Sequence, residues 1–345
     1  MHARIAQTRP FGKTAHARPT DGPALVFGEF SGSHGLGRAA AYDLDALRAR
    51  HTSLTAIDIG PYLAGSPASR LVLDGGIENV YFLSQPDTYG TICSLLQPSD
   101  IAQAYRVGRM AWETPLFPRA WRFAESMLHE VWAPSEFCAR TFTAALNVPV
   151  TVVPYAVTVP PDPGIDMRAR LGIPREAFVG LAMMDIRSCP ERKNPWEHVR
   201  VWRQAHGDDA NCVLIIKVRV SRHTRVVLDE LRELIGPAGN IILVSEDLSG
   251  AEIASLQRAA DLFLSLHRSE GFGLAICEAL LLGKRVVATN WSANAEYGPS
   301  FPNYVGVPYR LTAYRDWMGH YEDGGFEWAD PSTAIGTLLM PGPPP

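Results

Sequence analysis

The sequence predicts an α/β protein built from two Rossmann-like domains. Short apolar segments alternate with helical patterns along most of its 345 residues, the order expected of a parallel sheet with crossover helices. A proline-rich stretch at 149–163 interrupts this alternation, which then restarts. We therefore expect a first domain over 23–155 and a second over 156–310, two similar sheets with a cleft between them.

In the first domain, apolar runs predict the strands and helical periodicity predicts the helices. The predicted strands are 24–30, 55–59, 79–83, 131–133 and 150–154, and the predicted helices are 39–50 and 121–129. A glycine-rich turn at 31–38 separates the first strand from the first helix. Ser135 is expected to cap a further helix, on which Cys138 and Phe142 lie four residues apart.

The second domain repeats this order without repeating the sequence. The predicted strands are 178–184, 212–218, 241–244, 262–266 and 285–289, and the predicted helices are 196–206, 222–235, 249–259 and 274–282. The remainder, 311–345, is less regular and is treated as a separate C-terminal segment. One interpretation has it packing back on the first domain, and the proline-rich end at 341–345 is not expected to fold.

Charge and cysteine content exclude several classes of protein. The net charge of -4 and the pI of about 6.2 give no reason to expect nucleic-acid binding. Five cysteines without a CxxC pair predict neither a disulfide framework nor a zinc site, but reduced thiols in a cytoplasmic protein. No apolar run approaches the ~18 residues of a membrane-spanning helix, and no signal peptide is apparent.

The first twenty-two residues carry basic side chains and no acid before Asp21. Such a run predicts a flexible, solvated tail. A second interpretation is weak peripheral contact with an anionic membrane, which would place the protein at the inner face of the membrane. The oligomeric state stays open.

The segment 267–283 carries the strongest site signal. It reads as a strand end, a tight turn containing Gly271 and Gly273, and an apolar helix. The amides of Phe272, Gly273 and Leu274 lie where this helix begins. Unpaired amides and the helix dipole favour an anion there.

Two carboxylates belong to the same segment. Glu278 lies within a helix that is apolar on nearly every face, so it is expected to be buried and to need hydrogen-bond donors. Ribose hydroxyls would supply two such donors. Glu270, at the mouth of the turn, can accept from sugar hydroxyls. The alternative for Glu278 is a structural ion pair in the core.

These residues resemble the E-x7-E motif of retaining glycosyltransferases with the GT-B fold, family 4. The flanking words at 260–266 and 283–289 resemble that family too, and the resemblance covers about 28–330. It implies a GT-B fold, two Rossmann-like domains facing each other across a cleft. It also implies that Glu278 binds the donor ribose and that Glu270 is a catalytic residue facing the transferred sugar.

A basic loop follows the first strand of the second domain. Its word Arg192-Lys193-Asn194-Pro195 resembles a subgroup of family 4 in which the lysine touches the donor phosphates. Arg and Lys at the carboxyl end of a parallel strand can stabilise a departing diphosphate. The partner arginine stays open between Arg187 and Arg192. A solvated basic loop is the alternative.

The remaining candidates are supported less directly. In the first domain, Gly35 belongs to a turn that resembles the family loop near the donor phosphates, and His34, Trp112 and Glu113 are acceptor-side candidates. Arg109 and Met110 replace an aromatic pair of the family word. Asn294 lies near the donor in the family pattern. Each has a structural alternative: a surface histidine, a packed tryptophan or a loop cap.

The resemblance therefore implies a hexosyltransferase that uses a GDP- or UDP-linked sugar as substrate and a glycan or lipid-linked acceptor, in polysaccharide biosynthesis. The resemblance implies retention of anomeric configuration without a metal or other cofactor, because Lys193 and the helix amides replace the metal's charge. The adjacent pair Asp208 and Asp209 is predicted to be solvated. The alternative is an inactive GT-B protein that binds a nucleotide or glycan or supports a partner subunit.

Overall fold

The computed structural model describes residues 18–32, 34–73, 76–321, 324–331 and 336–340. The chain divides into two compact units between Val157 and Thr158. This division lies within the proline-rich stretch at which the alternation of strands and helices is interrupted. Most of the predicted basic tail, and the proline-rich end at 341–345, lie outside the described residues.

The first unit contains a parallel sheet of six strands in the order β2-β1-β3-β4-β5-β6. Its strands are β1 Ala24–Gly28, β2 Leu54–Asp58, β3 Asn79–Leu83, β4 Tyr105–Arg109, β5 Glu130–Ala133 and β6 Val150–Val152. Its helices are α1 Gly35–Arg50, α2 Gly60–Leu63, α3 Tyr89–Leu95 and α4 Glu136–Ala145. The central strands β1 and β3 are buried along their whole length, as in a parallel sheet covered on both faces.

Local capping explains where two of these helices begin. The His34 side chain accepts a hydrogen bond from the amide of Gly37, so α1 begins at Gly35, four residues before the predicted start. Ser135 accepts from the amide of Cys138, as predicted. The predicted helix 121–129 is instead a 3₁₀ helix over Arg119–Ser126.

The second unit contains another parallel sheet of six strands, in the order β12-β11-β10-β7-β8-β9. Its strands are β7 Phe178–Asp185, β8 Cys212–Arg219, β9 Ile241–Val244, β10 Leu262–Ser265, β11 Arg285–Thr289 and β12 Tyr304–Val307. Its helices are α5 Met167–Arg170, α6 Pro190–Lys193, α7 Pro195–His206, α8 Arg225–Ile235, α9 Gly250–Ala259, α10 Leu274–Leu281 and α11 Asn294–Tyr297. The two six-stranded sheets confirm the predicted α/β class.

Each sheet has an apolar core on both of its faces. In the first unit, Phe27 and Phe82 belong to one core, whereas their neighbours Val26 and Tyr81 belong to the other. This alternation follows from the two-residue period of a strand. The second unit shows the same division, with Leu214 in one core and Val213 in the other.

Several elements were not predicted, among them helix α3, strands β4 and β12, and a C-terminal hairpin. Strand β4 carries Arg106 and Arg109, whose charges interrupt the apolar run by which buried strands are recognised. The segment after 308 forms an antiparallel hairpin of β13 Tyr309–Ala313 and β14 Glu327–Pro331. The amide of Ala329 donates to the Arg268 carbonyl at 3.1 Å, so this hairpin packs on the second unit.

Among the described residues, no helix is both long and apolar enough to cross a membrane.

The turn before α1 contains a steric requirement for glycine at Gly37. A Cβ at this position would lie 2.6 Å from the carbonyl oxygen of Gly32 and 2.8 Å from that of Glu29. We expect Gly37→Ala to lower the free energy of unfolding by about 1–3 kcal/mol, because backbone must move to make room. Urea unfolding measures this change.

Gly35 provides the matched control, since a Cβ there meets nothing within 4 Å. Gly35→Ala should leave stability unchanged or raise it by up to about 1 kcal/mol, because alanine favours a helix. Equal losses in the two variants would contradict the steric explanation.

Candidate active site

The candidate site lies at the carboxyl ends of the two central strands of the second sheet. Strands β7 and β10 are parallel neighbours in this sheet, so their carboxyl ends lie side by side. The connection after β7, called here the loop after β7, includes the short helix α6 with Arg192 and Lys193, and the loop after β10 carries Glu270. This is the end at which open parallel sheets bind their ligands.

Lys193 and Glu270 form a close ion pair. The Lys193 Nζ lies 2.5 Å from Oε1 of Glu270, and Nη1 of Arg192 lies 3.5 Å from Oε2. Burial alone would raise the pKa of Glu270, but the charges of Lys193 and Arg192 prevail and lower it to about 2. The structure therefore brings together three residues predicted to act on the donor.

The position of Arg192 distinguishes it from Arg187. Arg192 is 2% exposed, and its guanidinium donates to the Ser269 carbonyl at 2.9 Å and to Oγ of Ser188 at 3.1 Å. Arg187 pairs with Asp185 at 2.6 Å. Burial would raise the pKa of Asp185, yet hydrogen bonds and charge from Arg187 lower it. Arg192 is thus the arginine that the structure places beside Glu270.

The glycine turn leads directly into α10. Gly273 has a left-handed backbone with φ of 80°, and a Cβ there would lie 3.1 Å from Ile276 Cδ1 and 3.2 Å from the Tyr297 hydroxyl. The hydroxyl of Tyr297 donates to the carbonyls of Phe272 and Gly273, at 2.9 and 3.0 Å. The Tyr297 side chain therefore stabilises the turn, and the helix begins at Leu274.

Glu278 is buried within α10, as predicted, with 2% of its surface exposed. Its Oε2 accepts a hydrogen bond of 2.9 Å from Nε2 of Gln257, which lies on α9 and is equally buried. Sequence reasoning missed Gln257. The available signal was a polar residue inside a predicted helix next to the apolar Leu256.

Asn294 and His267 each have a buried polar atom without a hydrogen-bond partner among the described residues. The Asn294 amide nitrogen donates to the Thr289 carbonyl at 2.8 Å, whereas its Oδ1 accepts from no described group. Asn294 also lies against the glycine turn, since its Cβ is 3.7 Å from a Cβ built on Gly273. The Nε2 of His267 is similarly unsatisfied, and burial lowers the pKa of this histidine to about 4.

The other candidates belong to the first unit, where His34 and Trp112 make the following contacts. His34 caps α1 and pairs through Nε2 with Glu29 at 3.1 Å. Trp112 donates from its indole nitrogen to the Leu116 carbonyl at 2.6 Å and packs edge-on against Trp121. The neighbouring Glu113 is half-buried, and Gly35 is exposed.

Arg109, one of the two residues that replace the aromatic pair of the resembled motif, is buried in the first unit. It is buried in an ion pair with Asp43 at 2.7 Å, and its guanidinium lies 4.2 Å from the centre of the Tyr155 ring. Burial raises the pKa of Asp43 to about 6, although the charge of Arg109 acts in the opposite direction. The residue in the aromatic position is thus part of the packed interior.

One group of potential metal ligands occurs among the described residues: Cys189, Glu191 and Asp316. Their carboxylates accept backbone amides of the turn at 316–321, for example from Tyr321 at 2.8 Å. Burial raises the pKa of the Cys189 thiol to about 12, so without a bound cation the sulfur is protonated. This group therefore links the C-terminal segment to the loop after β7. The pair Asp208 and Asp209 is exposed, as predicted.

Comparison with known protein families gives one partial match. Residues 198–301 match the family model of the glycosyl transferases group 1, and this segment includes both Glu270 and Glu278. The match covers only part of the second unit. No protein of curated function matches the sequence.

Solved structures with similar folds, two of the following three being glycosyltransferases, match at low sequence identity. Anabaena Alr3699/HepE, in complex with UDP and glucose, has a TM-score of 0.55 at 17% identity, over 79% of this chain and 82% of its own. A Rickettsia africae glycosyltransferase has 0.55 at 16%, over 80% of each chain. WaaG, involved in lipopolysaccharide biosynthesis, has 0.55 at 14%, over 83% and 85%. The chain therefore has the GT-B fold.

The lowered pKa of Glu270 predicts a pH-dependent contribution to stability. The folded pKa of about 2 lies below the ordinary 4.5, so the contribution is complete above about 4.5 and is lost as the pH falls through 2. Near neutral pH, Glu270→Gln should lower the free energy of unfolding by on the order of 2 kcal/mol. Urea unfolding at a series of pH values should show this difference shrinking from about pH 5 to about pH 2.

Asp208→Asn is the control, because Asp208 is exposed in a turn of the same unit. It should show no comparable pH-dependent difference. A Glu270→Gln difference that stays constant over the acid range would contradict the ion pair as its source.

Proposed function

We propose that this chain is a retaining hexosyltransferase that takes its sugar from a nucleotide diphosphate and needs no metal ion. The observation that carries the proposal is the cluster in which Lys193 and Arg192 meet Glu270 at the carboxyl ends of β7 and β10. A diphosphate requires cations and amides, and a sugar requires a carboxylate that accepts from its hydroxyls. The family match to residues 198–301 supports the same chemistry.

In this proposal, the donor diphosphate is bound by Lys193, Arg192 and the turn before α10. The Lys193 ammonium is partly accessible, with 16% of its side chain exposed, and it already contacts an anion, the Glu270 carboxylate. The positive end of the α10 dipole lies at Gly273 and Leu274. Together these groups form a positively charged site at the N-terminus of the buried helix α10.

The donor's nucleoside is proposed to reach Glu278. Its carboxylate is oriented by Gln257 and is buried, so ribose hydroxyls would bind it with little competition from water. Asn294 supports this placement, because its unsatisfied Oδ1 can accept a donor hydroxyl. Both residues belong to elements that pack directly around the glycine turn.

The chemistry follows from where charge develops. As the bond between sugar and phosphate breaks, negative charge grows on the departing diphosphate, and cations already in place stabilise that state most. Lys193 and Arg192 supply two positive charges, the role a metal ion would otherwise take. Retention follows when the acceptor hydroxyl attacks from the leaving-group face and passes its proton to the diphosphate. Glu270 then faces the oxocarbenium-like sugar.

The donor base and the acceptor are the less constrained parts of the proposal. The Anabaena structure contains UDP and glucose, which makes UDP-glucose the first donor to test and GDP-linked hexoses the second. We propose a glycan or lipid-linked acceptor of polysaccharide assembly, with Trp112, Glu113 and His34 as contacts in the first unit. Glu113 is half-buried, and a carboxylate can accept hydrogen bonds from sugar hydroxyls.

Two substitutions test donor binding. Glu278→Gln removes a charge at nearly constant shape, and Lys193→Ala removes the cation beside the leaving group. For each variant we expect kcat/KM for the nucleotide sugar to fall by about 10²-fold or more, while the thermal unfolding transition stays cooperative. Release of nucleoside diphosphate in the presence of acceptor extracts measures turnover.

Lys284→Ala is the matched control. Lys284 follows the opposite end of α10 and donates to the Arg258 carbonyl at 2.8 Å, so it should leave turnover unchanged. Wild-type turnover in both site variants would show that these residues do not bind the donor. Nucleotide-sugar binding without any turnover would favour a binding protein over an enzyme.

Removal of divalent cations tests the proposed role of Lys193 and Arg192. If these residues replace the charge of a metal, activity in excess EDTA should stay within about twofold of that with added Mg²⁺. Abolition by EDTA, with recovery on adding Mg²⁺ or Mn²⁺, would contradict metal independence.

A further inference from the structure

Two non-glycine residues among those described have a left-handed backbone: Asn194, with φ of 52°, and Ser292, with φ of 64°. This conformation costs free energy for any residue with a Cβ, and it persists only where the surroundings enforce it. Asn194 directly follows Lys193 in the chain. Ser292 contacts Glu270, the ion-pair partner of Lys193. Both strained positions are therefore attached to the same ion pair.

Asn194 connects the loop after β7 to the loop after β10. It is 1% exposed, and its Nδ2 donates to the carbonyl of Leu266 at 3.0 Å. Asn194 also separates α6 from α7, so its backbone sets the direction in which the Lys193 side chain leaves the loop. Glycine would allow the same φ, but it would lack the hydrogen bond.

His198 completes the connection from the next turn of α7. The amide of Leu266 donates to Nε2 of His198 at 3.0 Å, so that nitrogen carries no proton. Its Nδ1 therefore carries the hydrogen and donates to the carbonyl of Asn194 at 3.0 Å. Leu266 thus has its carbonyl bound by Asn194 and its amide bound by His198. Burial lowers the pKa of His198 to about 4, which keeps the ring neutral at physiological pH.

Ser292 holds the other end of the same loop. Its Oγ accepts a hydrogen bond of 2.8 Å from the amide of Glu270 and donates to the carbonyl of Trp291 at 2.6 Å. The segment from Leu266 to Glu270 is therefore fixed at both ends, by α7 on one side and by the loop after β11 on the other.

We propose that Asn194, His198 and Ser292 are positioning residues that form a clasp, which holds Lys193 and Glu270 at their short separation before any donor binds. The proposal rests on the function proposed above for that pair. Two charged side chains on separate loops lose conformational freedom when they are confined to 2.5 Å. The clasp confines them through hydrogen bonds to backbone groups. The Lys193 ammonium is therefore already in position where the diphosphate departs.

The decisive variants remove the side-chain hydrogen bonds of the clasp, and the two glycine variants also permit the native backbone conformation. Asn194→Gly and Ser292→Gly permit a positive φ, so any loss comes from the missing side chain. His198→Gln keeps an acceptor for the Leu266 amide, whereas His198→Leu keeps neither bond. Val201→Ala is the control, because Val201 is a buried residue of the same helix that packs in the apolar core.

The first readout is independent of activity. In protein labelled with ¹³C at glutamate carboxyls, the Glu270 resonance is identified by its absence in Glu270→Gln. It should not titrate above about pH 3 in the wild type or in Val201→Ala. In Asn194→Gly, Ser292→Gly and His198→Leu, the pKa of Glu270 should rise toward the ordinary 4.5, because the cations are held less closely.

The second readout is turnover of the nucleotide sugar. The three clasp variants should lose about tenfold to 10²-fold in kcat with a smaller change in KM, His198→Gln should recover part of that loss, and Val201→Ala should retain kcat despite lower stability. An unchanged pKa of Glu270 together with unchanged kcat in Asn194→Gly and Ser292→Gly would overturn the clasp. So would an equal loss of kcat in Val201→Ala. A wild-type protein that turns over no nucleotide sugar would refute the proposed function, and the titration of Glu270 would still decide the clasp.

Discussion

The contact between Lys193 and Glu270 depends on two loops that follow neighbouring parallel strands, β7 and β10. A carboxylate at this depth is opposed by desolvation, which favours its protonated form. The charges of Lys193 and Arg192 outweigh that effect, and the pKa of Glu270 falls instead of rising. The carboxyl ends of β7 and β10 therefore hold a set of fixed charges instead of a neutral pocket. Everything proposed for donor binding relies on these charges being present before the ligand arrives.

Other parts of the second unit support the same two loops. Arg268 donates its amide to the Arg192 carbonyl at 2.7 Å and its guanidinium to Asp330 of the C-terminal hairpin at 3.2 Å. The hairpin thus contacts the loop after β10 at Arg268. Helix α7 contacts the same loop at Leu266, and the loop after β11 contacts it at Glu270. Buried hydrogen bonds of this kind are costly to break, because a separated group would be left unsatisfied. This gives a physical reason for a rigid site on loops that would otherwise be mobile.

Much of the fold could be predicted because parallel strands in a covered sheet are continuous apolar runs. Strand β9 at Ile241–Val244 and strand β11 at Arg285–Thr289 have the bounds that the sequence predicted. Strand β4 was missed, because its two arginines are buried by partners distant in sequence, such as Asp43 for Arg109. The hairpin β13–β14 was missed because β13 is mostly exposed and β14 contains Asp330 and Pro331, so neither segment is a continuous apolar run.

Within the site, the sequence by itself determined the chemical groups: the carboxylates Glu270 and Glu278, the basic word containing Lys193, and the glycine turn. These follow from residue type and spacing within one element. Only the tertiary structure decided that Arg192 joins Glu270 while Arg187 pairs with Asp185, and that Gln257 contacts Glu278. It also assigned His34 and Trp112 to a helix cap and an aromatic contact. For Arg192 and Gln257 the reason is that side chains on different elements meet only through strand order and packing, which span separations that no local pattern encodes.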